Sequence, residues 1–313
     1  SLFGVVRVRH LPPFVSVEPA NFCQLRCPEC PVGTASRLSP NRPMPLSVFE
    51  RALEQVQKTA HTMQFYFQGE PLLNKQLAEM IALAHKAGLY TIVSTNAQAL
   101  SRSTAEALVK SGLNRIIVSI DGFSEESYSA YRVGGSLHKA LEGLQHLAGA
   151  KAEFHSRIRI ELQVLRLKTN EHEWDWIKKN YKSLGATHLV FKTAQLYHFE
   201  HGHPLMPTNE RYSRYKKTAN GTYIHKSSPL HSTPYTLHRA FGASCLRLWS
   251  GCIITTNGEV LPCCYDKDHR HAYGNIMQQS LKELYHSNKA NALRRHVLRN
   301  QGKPLDMCKN CNK

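Results

Sequence analysis

Nine cysteines are grouped near the two ends of this 313-residue chain, and none lies between Cys30 and Cys245. Three of them form one run, Cys23-Gln24-Leu25-Arg26-Cys27-Pro28-Glu29-Cys30. Disulfide frameworks belong to small secreted chains, whereas clustered cysteines in a large chain are more typical of metal ligands. Scattered buried thiols would not produce this grouping. The spacing therefore predicts two metal sites, one near each end of the sequence.

The first cysteine run has three thiols and no fourth ligand. Three thiolates in one loop can bind three irons of a [4Fe–4S] cluster, which normally takes four cysteines. One iron then stays open to a small molecule with adjacent nitrogen and oxygen donors. A structural zinc ion is usually closed by a fourth Cys or His, and only Glu18 and Asn21, which are weak zinc ligands, stand nearby. The pattern favours a cluster over zinc.

Between the cysteine groups, short apolar runs alternate with amphipathic segments. Strands are predicted at 14–18, 63–67, 90–94, 115–120, 157–164 and 188–192. Helices are predicted between them, with Ser47–Glu50, Ser103–Glu106 and Asn170–Glu173 as capping pairs. Such repeated units favour a parallel sheet or partial barrel with helices outside. Ligand sites in such folds lie at the carboxyl ends of the strands.

With its cysteine run directly after the first predicted strand, the sequence resembles the radical S-adenosylmethionine (SAM) superfamily over nearly its whole length. The resemblance implies an α/β fold, a partial (β/α)6 TIM-like barrel. It also implies that Cys23, Cys27 and Cys30 hold a [4Fe–4S] cluster whose open iron chelates the amino and carboxylate groups of SAM. An electron from that cluster would cleave SAM to a 5′-deoxyadenosyl radical.

Further segments resemble motifs of this family, in order and at predicted strand ends. Gln68-Gly69-Glu70-Pro71 resembles the GGEP motif that holds the SAM amino group, with Gln in place of the first Gly. Ser94-Thr95-Asn96 and Ser119-Ile120-Asp121-Gly122 resemble the segments after the third and fourth strands. Singly, each match fits a cap, a turn or a surface charge, and together they favour a SAM site. The implied SAM contacts are Gly69, Glu70, Pro71, Ser94, Asn96, Ser119, Asp121 and Arg132.

The C-terminal cysteines resemble the SPASM/twitch extension found behind radical SAM barrels. Cys245, Gly258 and Cys263 match its CX9–15GX4C opening, and Asn257-Gly258 is a strong hairpin signal that would bring thiols before and after it together. The resemblance implies a small β-hairpin plus helix module with one auxiliary [4Fe–4S] cluster. No cysteine follows Cys311, so the one-cluster twitch form fits, unless the natural chain continues. The implied ligands are Cys245, Cys263, Cys308 and Cys311.

Two cysteines are left over, Cys252 and Cys264. Cys252 lies in a predicted hairpin strand, and the side chain of Cys264 should point away from that of its neighbour Cys263. Both are interpreted as small buried apolar residues. Cys252 is the expected replacement if one of the four proposed ligands is wrong. A structural zinc ion is the alternative occupant of this site.

Three parts are predicted: a barrel at 1–194, a basic His- and Tyr-rich linker or lid at 195–243, and an auxiliary-cluster domain at 244–313. Long irregular segments are uncommon unless they are functional. The lid histidines, His198, His201 and His203, could hold a metal, although a solvated loop is favoured. The same two interpretations apply to the Asp and His residues at 266–271. The lid tyrosines, which would line a cleft or pack the lid, are Tyr197, Tyr212, Tyr215 and Tyr223.

The chain has 40 Lys and Arg residues against 23 Asp and Glu residues, a formal net charge of +17. Such a field attracts anions, including acidic peptides, nucleotides and nucleic acid. No nucleic-acid-binding signature accompanies the charge, and a solvated basic surface explains it equally well. No run approaches the roughly 20 apolar residues that span a bilayer. A cytoplasmic protein without a membrane partner is therefore expected.

The favoured hypothesis is a radical SAM oxidoreductase with two [4Fe–4S] clusters. It would abstract hydrogen from a peptide or protein, and the auxiliary cluster would accept or relay the substrate electron. An external donor such as flavodoxin or ferredoxin would supply electrons. Because the barrel begins close to the start of the sequence, a separate protein would recognise any leader peptide. An anionic small molecule, a nucleotide or RNA is the alternative substrate, and a non-catalytic cluster- or zinc-binding protein is the alternative class. The sequence identifies no catalytic acid or base.

Overall fold

Six parallel strands form the centre of the protein. The computed structural model describes residues 6, 8–34, 40–226, 245–299, 305–308 and 311. Each of the six strands pairs with the next one along the chain. This arrangement confirms the predicted α/β class with a parallel sheet. The strands are β1 (Phe14–Val17), β2 (Thr62–Phe65), β3 (Tyr90–Thr95), β4 (Arg115–Ser119), β5 (Arg159–Arg166) and β6 (His188–Thr193).

Helices cover one face of this sheet. Successive side chains of a strand point to opposite faces of the sheet. Val15 and Val17 therefore pack in the apolar core between the sheet and the helices, while Ser16 points to the opposite, inner face. There the Ser16 hydroxyl donates to Gln64 Oε1 at 3.1 Å. The helices are α1 (Leu46–Val56), α2 (Leu77–Lys86), α3 (Arg102–Lys110), α4 (Glu125–Ser129), α5 (Leu137–Glu153) and α6 (Trp174–Asn180), with 3-10 helices at Pro71–Leu73 and Lys168–Glu173.

The first residues of the helices differ from the predicted capping pairs. Helix α1 begins at Leu46, with Pro45 as its N-cap and no side-chain cap, so Ser47 already lies inside the helix. The Ser101 hydroxyl, two residues before the predicted cap Ser103, accepts the Thr104 N–H at 3.2 Å and starts α3. Both predicted boxes are wrong because the residues that actually precede these helices are already extended and provide the N-cap.

A buried ion group lies at the amino end of the strands on the inner face. Glu161 has no exposed surface, and Arg115 Nη2 lies 2.6 Å from both of its carboxylate oxygens. Arg159 Nη2 adds a contact of 3.2 Å. Both arginines are the first residues of their strands. A buried carboxylate requires such partners. Because this ion group occupies the amino end of the strands, the opposite, carboxyl end is the one available for a ligand site.

After β6, residues 195–226 fold over the carboxyl end of the sheet. They contain a 3-10 helix (Glu210–Tyr212) and the antiparallel pair β7 (Tyr215–Lys217) and β8 (Tyr223–His225). Tyr215 is buried, its ring stacks on Phe199 at 4.1 Å, and its hydroxyl donates to Leu196 O at 3.0 Å. These residues form a second apolar cluster with Leu25 and Cys27. The rest of the predicted lid, 227–243, lies outside the described residues.

The C-terminal strands extend the barrel sheet. Strand β9 (Gly251–Ile254) pairs in parallel with β1 over its whole length, and β10 (Glu259–Leu261) returns antiparallel beside it. The turn lies at the predicted Asn257-Gly258, where Gly258 has φ +86° and thus the left-handed conformation that favours glycine. Strand β11 (Gly274–Asn275) forms the edge. The predicted hairpin is confirmed, and it joins the barrel through β1.

Three helices complete the described C-terminal part: α7 (Arg247–Ser250), α8 (Leu281–Tyr285) and α9 (Asn288–Arg299). Ser280 and Glu283 form a capping box at the start of α8. The Arg294 side chain of α9 is fully buried and donates to Leu248 O at 3.0 Å and to Tyr285 O at 2.9 Å. It thereby fixes α9 against α7. Among the described residues, no helix has the length and apolar content to cross a bilayer.

We expect Glu161→Gln to lower the free energy of unfolding by about 2–3 kcal/mol. Removing one partner of a buried ion pair costs about 3–5 kcal/mol, and the partial exposure of both arginine side chains (28% and 40%) reduces this figure. Anaerobic urea unfolding measures the change. Glu153→Gln is the control, because its exposed pair with Arg102 contributes less than about 1 kcal/mol. Equal losses in both variants would contradict a structural role for the inner ion group.

Candidate functional site

The loop after β1 carries the first three cysteines. Cys27 is buried, and Cys23 and Cys30 are partly buried. Two backbone hydrogen bonds shape the loop: Cys30 N donates to Cys27 O at 3.1 Å, and Arg26 N donates to Val133 O at 2.9 Å. The second bond attaches the loop to the segment that follows α4. The three thiols therefore lie at the carboxyl end of the sheet, where a parallel α/β fold places its ligands.

The donor set of this loop fits an iron–sulfur cluster. In the described residues, no three His, Cys, Asp or Glu side chains converge on one point as a single metal ion requires, whereas a [4Fe–4S] cluster bonds each thiolate to a different iron. Burial raises the pKa of Cys23 to about 12 and also raises that of Cys27. Buried thiolates therefore need a positive group, which the irons of a cluster supply. Asn96 Nδ2, 3.3 Å from Cys23 Sγ, is a hydrogen-bond donor to the sulfur.

The loop after β2 is pressed against the loop after β1. A Cβ at Gly69 would lie 2.1 Å from Ala20 O, so only glycine fits at this position. The next residue continues the contact, since Glu70 N donates to Phe22 O at 2.9 Å. Pro71 then starts the short 3-10 helix. The predicted motif Gln68–Pro71 thus joins two loops through its backbone.

The Glu70 carboxylate is buried and has three donors from its own chain. It accepts Leu72 N–H at 3.1 Å, the Thr95 hydroxyl at 2.6 Å and Asn96 N–H at 2.8 Å. Burial raises the pKa of Glu70, and these hydrogen bonds oppose the increase. The carboxylate therefore connects the ends of β2 and β3. A contact between Glu70 and SAM stays a prediction.

Asp121 and Arg132 pair with each other beside the cysteine loop. Arg132 Nη2 lies 2.5 Å from Asp121 Oδ2, and Arg132 Nη1 lies 4.0 Å from Cys27 Sγ. Burial by itself would lower the pKa of Arg132. The negative charges of Asp121 and Cys27 have the larger effect, so the pKa is raised. Leu165 N donates to Asp121 Oδ1 at 2.6 Å. Both residues were assigned to SAM by resemblance, and the structure holds them as one ion pair.

The predicted SAM contacts come together at one end of the sheet. Strand alternation puts Ser94 and Ser119 on the inner face, opposite the core residues Val93 and Val118. Asn96 links the end of β3 to Cys23. The carboxyl ends of the first four strands thus surround the three thiols. The SAM contacts themselves stay predictions.

A second group of cysteines surrounds Arg247. Arg247 Nη1 donates to Cys264 Sγ at 3.0 Å. Burial raises the pKa of Cys311 to about 11; the Arg247 charge opposes this, while the thiols of Cys245, Cys264 and Cys308 act in the same direction as burial. The Arg247 charge therefore acts on Cys263, Cys264 and Cys311, and the thiols of Cys245 and Cys308 lie near that of Cys311.

The two leftover cysteines have different environments. Cys252 is 3% exposed in β9 and packs in the main core, and burial raises its pKa to about 12. Cys264 is exposed, so the interpretation of Cys264 as a buried apolar residue is wrong. Its neighbour Cys263 packs against Leu248 and Trp249 instead. The thiols of Cys263 and Cys264 are hydrogen-bonded to each other, so the expectation that they point apart is wrong, and Cys264 also contacts Arg247.

A cavity of about 470 Å³ lies between the two cysteine groups. On one side it is lined by Glu29 and Cys30 of the three-cysteine loop, and on the other by Tyr265, Lys267 and Asp306 of the C-terminal part. Residues 197 and 198 close it from the segment after β6. The cavity is thus bounded by all three parts of the chain.

Glu29 and Gln68 connect the loops around the site, a role that sequence reasoning missed. Glu29 accepts Tyr197 N–H at 2.5 Å and lies 3.2 Å from His203 Nε2, so it ties the cysteine loop to the segment after β6. Gln68 Nε2 donates to Lys267 O at 2.9 Å and ties the motif loop to the C-terminal part. Both contacts join residues far apart in the sequence, and only the position of Gln68 in a recognisable motif could have pointed to it.

The predicted histidine run is not arranged as a metal site in the described residues. His203 Nδ1 accepts Leu205 N–H at 3.2 Å, and its other ring nitrogen faces Glu29. His269, in the Asp- and His-rich stretch, pairs with Glu259 at 3.0 Å. These contacts fit the interpretation of the histidines as loop residues.

Comparison with known proteins agrees with this architecture. A family model described as the radical SAM superfamily matches residues 17–158, and one described as an iron–sulfur cluster-binding domain, SPASM, matches residues 245–312. The chain belongs to the radical SAM superfamily and carries a C-terminal SPASM/twitch-type domain. Family membership implies SAM and iron–sulfur clusters as cofactors.

Particular relatives give a finer comparison. The chain is 27% identical over 298 residues to the PqqA peptide cyclase of Rhizobium meliloti (strain 1021), covering 91% of this chain and 77% of the relative. An AdoMet-dependent heme synthase of Methanosarcina barkeri is 25% identical over 190 residues, which are 60% of this chain and 52% of that one.

Solved structures share the fold at low identity. BtrN in complex with AdoMet and 2-DOIA superposes with a TM-score of 0.57 at 20% identity, covering 98% of this chain and 95% of that one. Streptococcus suis SuiB bound to precursor peptide SuiA gives a TM-score of 0.68 at 14% identity, covering 96% and 70%. At these identities the likeness shows the fold alone.

We expect Glu70→Gln to lower both the stability of the protein and its affinity for SAM. The amide would present N–H groups where the carboxylate now accepts three hydrogen bonds, each of which contributes about 1.5–3 kcal/mol when charge-assisted. Anaerobic urea unfolding and isothermal titration with SAM measure the two effects.

Glu79→Gln, at an exposed position of α2, is the control and should change neither quantity. If Glu70→Gln lost SAM affinity at unchanged stability, the carboxylate would contact SAM directly. If neither changed, its role in joining β2 and β3 would be refuted.

The iron content should depend on Cys308 and not on Cys252. Reconstituted protein with two clusters holds about eight irons, and Cys308→Ala should retain about four of them. Cys252→Ala should retain all of them, because the Cys252 thiol lies in the main core. Iron analysis and electron paramagnetic resonance give the count. Loss of iron from Cys252→Ala alone would overturn this placement.

Proposed function

We propose that this radical SAM enzyme is an oxidoreductase that abstracts a hydrogen atom from a peptide or protein, with an auxiliary [4Fe–4S] cluster as acceptor or relay of the substrate electron. The observation that supports it most is the cavity between the two cysteine groups, lined by Cys30 on one side and by Asp306 and Met307, next to Cys308, on the other. A substrate in this cavity would lie between the two clusters.

The cofactor at the first cysteine group determines the start of the reaction. When bound by Cys23, Cys27 and Cys30, a [4Fe–4S] cluster supplies the electron for reductive cleavage of SAM. Around this group, Asn96 donates towards Cys23 and Arg132 places a positive charge near Cys27. Hydrogen bonds to sulfur and nearby charges tune the potential of such a cluster.

Apolar side chains shield one side of the three-cysteine loop from water. Leu25, Leu196 and Met206 are buried beside it and form the second apolar cluster, which includes Cys27. Excluding water from a reactive site prevents side reactions. The folded segment 195–226 thus protects a reactive substrate intermediate.

The second cysteine group would hold the auxiliary cluster. Four thiolate ligands add four negative charges, and the Arg247 guanidinium, which acts on Cys263 and Cys311, offsets part of this charge. An external donor such as flavodoxin or ferredoxin would supply electrons. We propose Cys245, Cys263, Cys308 and Cys311 as ligands, with Cys264 beside them.

A peptide substrate is supported by similarity to the PqqA peptide cyclase. The likeness to SuiB bound to precursor peptide SuiA agrees with it at the level of the fold. The AdoMet-dependent heme synthase relative supports an anionic small molecule as the second candidate. Binding of RNA with a steep salt dependence would favour a nucleic-acid substrate instead.

We expect the triple variant Cys23→Ala, Cys27→Ala, Cys30→Ala to bind about half the iron of the wild type. It should form no 5′-deoxyadenosine from SAM with dithionite as reductant, because the cluster that supplies the electron is lost. Cys252→Ala is the matched control and should keep both properties. Continued 5′-deoxyadenosine formation by the triple variant would refute the proposed function.

A further inference from the structure

Lys267 is held at both ends inside the cavity between the cysteine groups. Its carbonyl oxygen accepts from Gln68 Nε2 at 2.9 Å, and its Nζ donates to Tyr197 Oη at 2.8 Å. Nζ also lies 5.4 Å from the centre of the Tyr197 ring. A lysine normally moves freely in solvent, so a lysine fixed from both sides presents its charge at a defined place.

This charge has no carboxylate partner in the described part of the chain. Other cations of the region are paired: Arg270 lies 3.4 Å from Asp268 and 3.5 Å from Asp306, and Arg132 lies 2.5 Å from Asp121. Among the described residues, no ion pair within 4.0 Å involves Lys267. Its charge helps to lower the pKa of the Cys264 thiol, but without a carboxylate partner this partly buried cation also attracts an anion from solution.

Tyr197 adds a second donor next to the ammonium. Its hydroxyl oxygen accepts from Lys267 Nζ and from Gln195 Nε2, at 2.8 and 3.3 Å. Both lone pairs are therefore used, and the hydroxyl hydrogen is available for donation. Lys267 keeps two further N–H donors. Two adjacent donors match the two oxygens of a carboxylate.

We propose that Lys267 and Tyr197 bind a carboxylate of the substrate peptide, either an acidic side chain or the C-terminus. This inference rests on the proposed function and names the chemistry by which the cavity selects its substrate. Glu29, Asp266 and Asp268 line the same cavity, so a monoanionic carboxylate is favoured there over a phosphate dianion. Gln68 is a positioning residue that holds the backbone of Lys267.

The test uses the reconstituted full chain, immobilised under anaerobic conditions. A random octapeptide library is prepared twice, with free and with amidated C-termini, and the retained peptides are sequenced. Relative to the wild type, Lys267→Met should retain acid-bearing peptides about tenfold less, the loss expected from one charge-assisted hydrogen bond. Tyr197→Phe removes only the hydroxyl and should give a smaller loss, and Lys267→Arg should restore much of the retention.

Lys289→Met is the matched control, since this exposed lysine lines a separate hollow, and it should behave as the wild type. If acidic peptides are enriched from both libraries, the bound carboxylate belongs to a side chain. If peptides are enriched only from the library with free C-termini, the bound carboxylate is the C-terminus. The iron content of each variant is measured alongside to check folding.

The proposal would be overturned if the wild type, Lys267→Met and Tyr197→Phe retained peptides with the same acid content. This includes the case in which none of the three proteins selects acidic peptides. A wild type that forms no 5′-deoxyadenosine would refute the proposed function instead. The two failures are therefore distinguishable.

Discussion

The buried carboxylate of Glu70 holds together the loops that carry the site. A carboxylate without water is unfavourable unless donors surround it, and Glu70 has three, from Leu72, Thr95 and Asn96. Asn96 is thereby fixed where its side chain donates to Cys23. The end of β2, the end of β3 and the cysteine loop thus form one rigid unit. The arrangement of these loops depends on this single anion.

The sheet itself determines how far apart the two cysteine groups lie. Strand β9 pairs with β1 from Phe14↔Gly251 to Val17↔Ile254. The first cysteine loop follows β1, and Cys263 follows β10, the partner of β9. Hydrogen-bonded strands leave little freedom of register. The distance between the three-cysteine loop and Cys263 is therefore a property of the backbone.

The sequence predicts the sheet and the grouping of the cysteines because both depend on local patterns. The strands are apolar runs of the right length, and Asn257-Gly258 marks the hairpin through a conformation that few residues adopt. The roles of Glu29, Gln68 and Cys264 could not be predicted, since each depends on a contact with a residue distant in sequence. The helix starts failed for a related reason: a hydroxyl at the right spacing predicts a cap, but the preceding backbone decides which residue becomes the cap.

Gln68 shows how a departure from a motif acquires a role. A glycine at this position would leave the backbone contacts of the motif unchanged, because Gly69 and Glu70 make them. The glutamine side chain adds a hydrogen bond to Lys267 O and so connects the loop after β2 to the C-terminal part. Tyr197 and Glu29 continue this connection back to the cysteine loop. The contacts form a closed ring around the cavity, so that a shift of any one of these loops must be accommodated by the others.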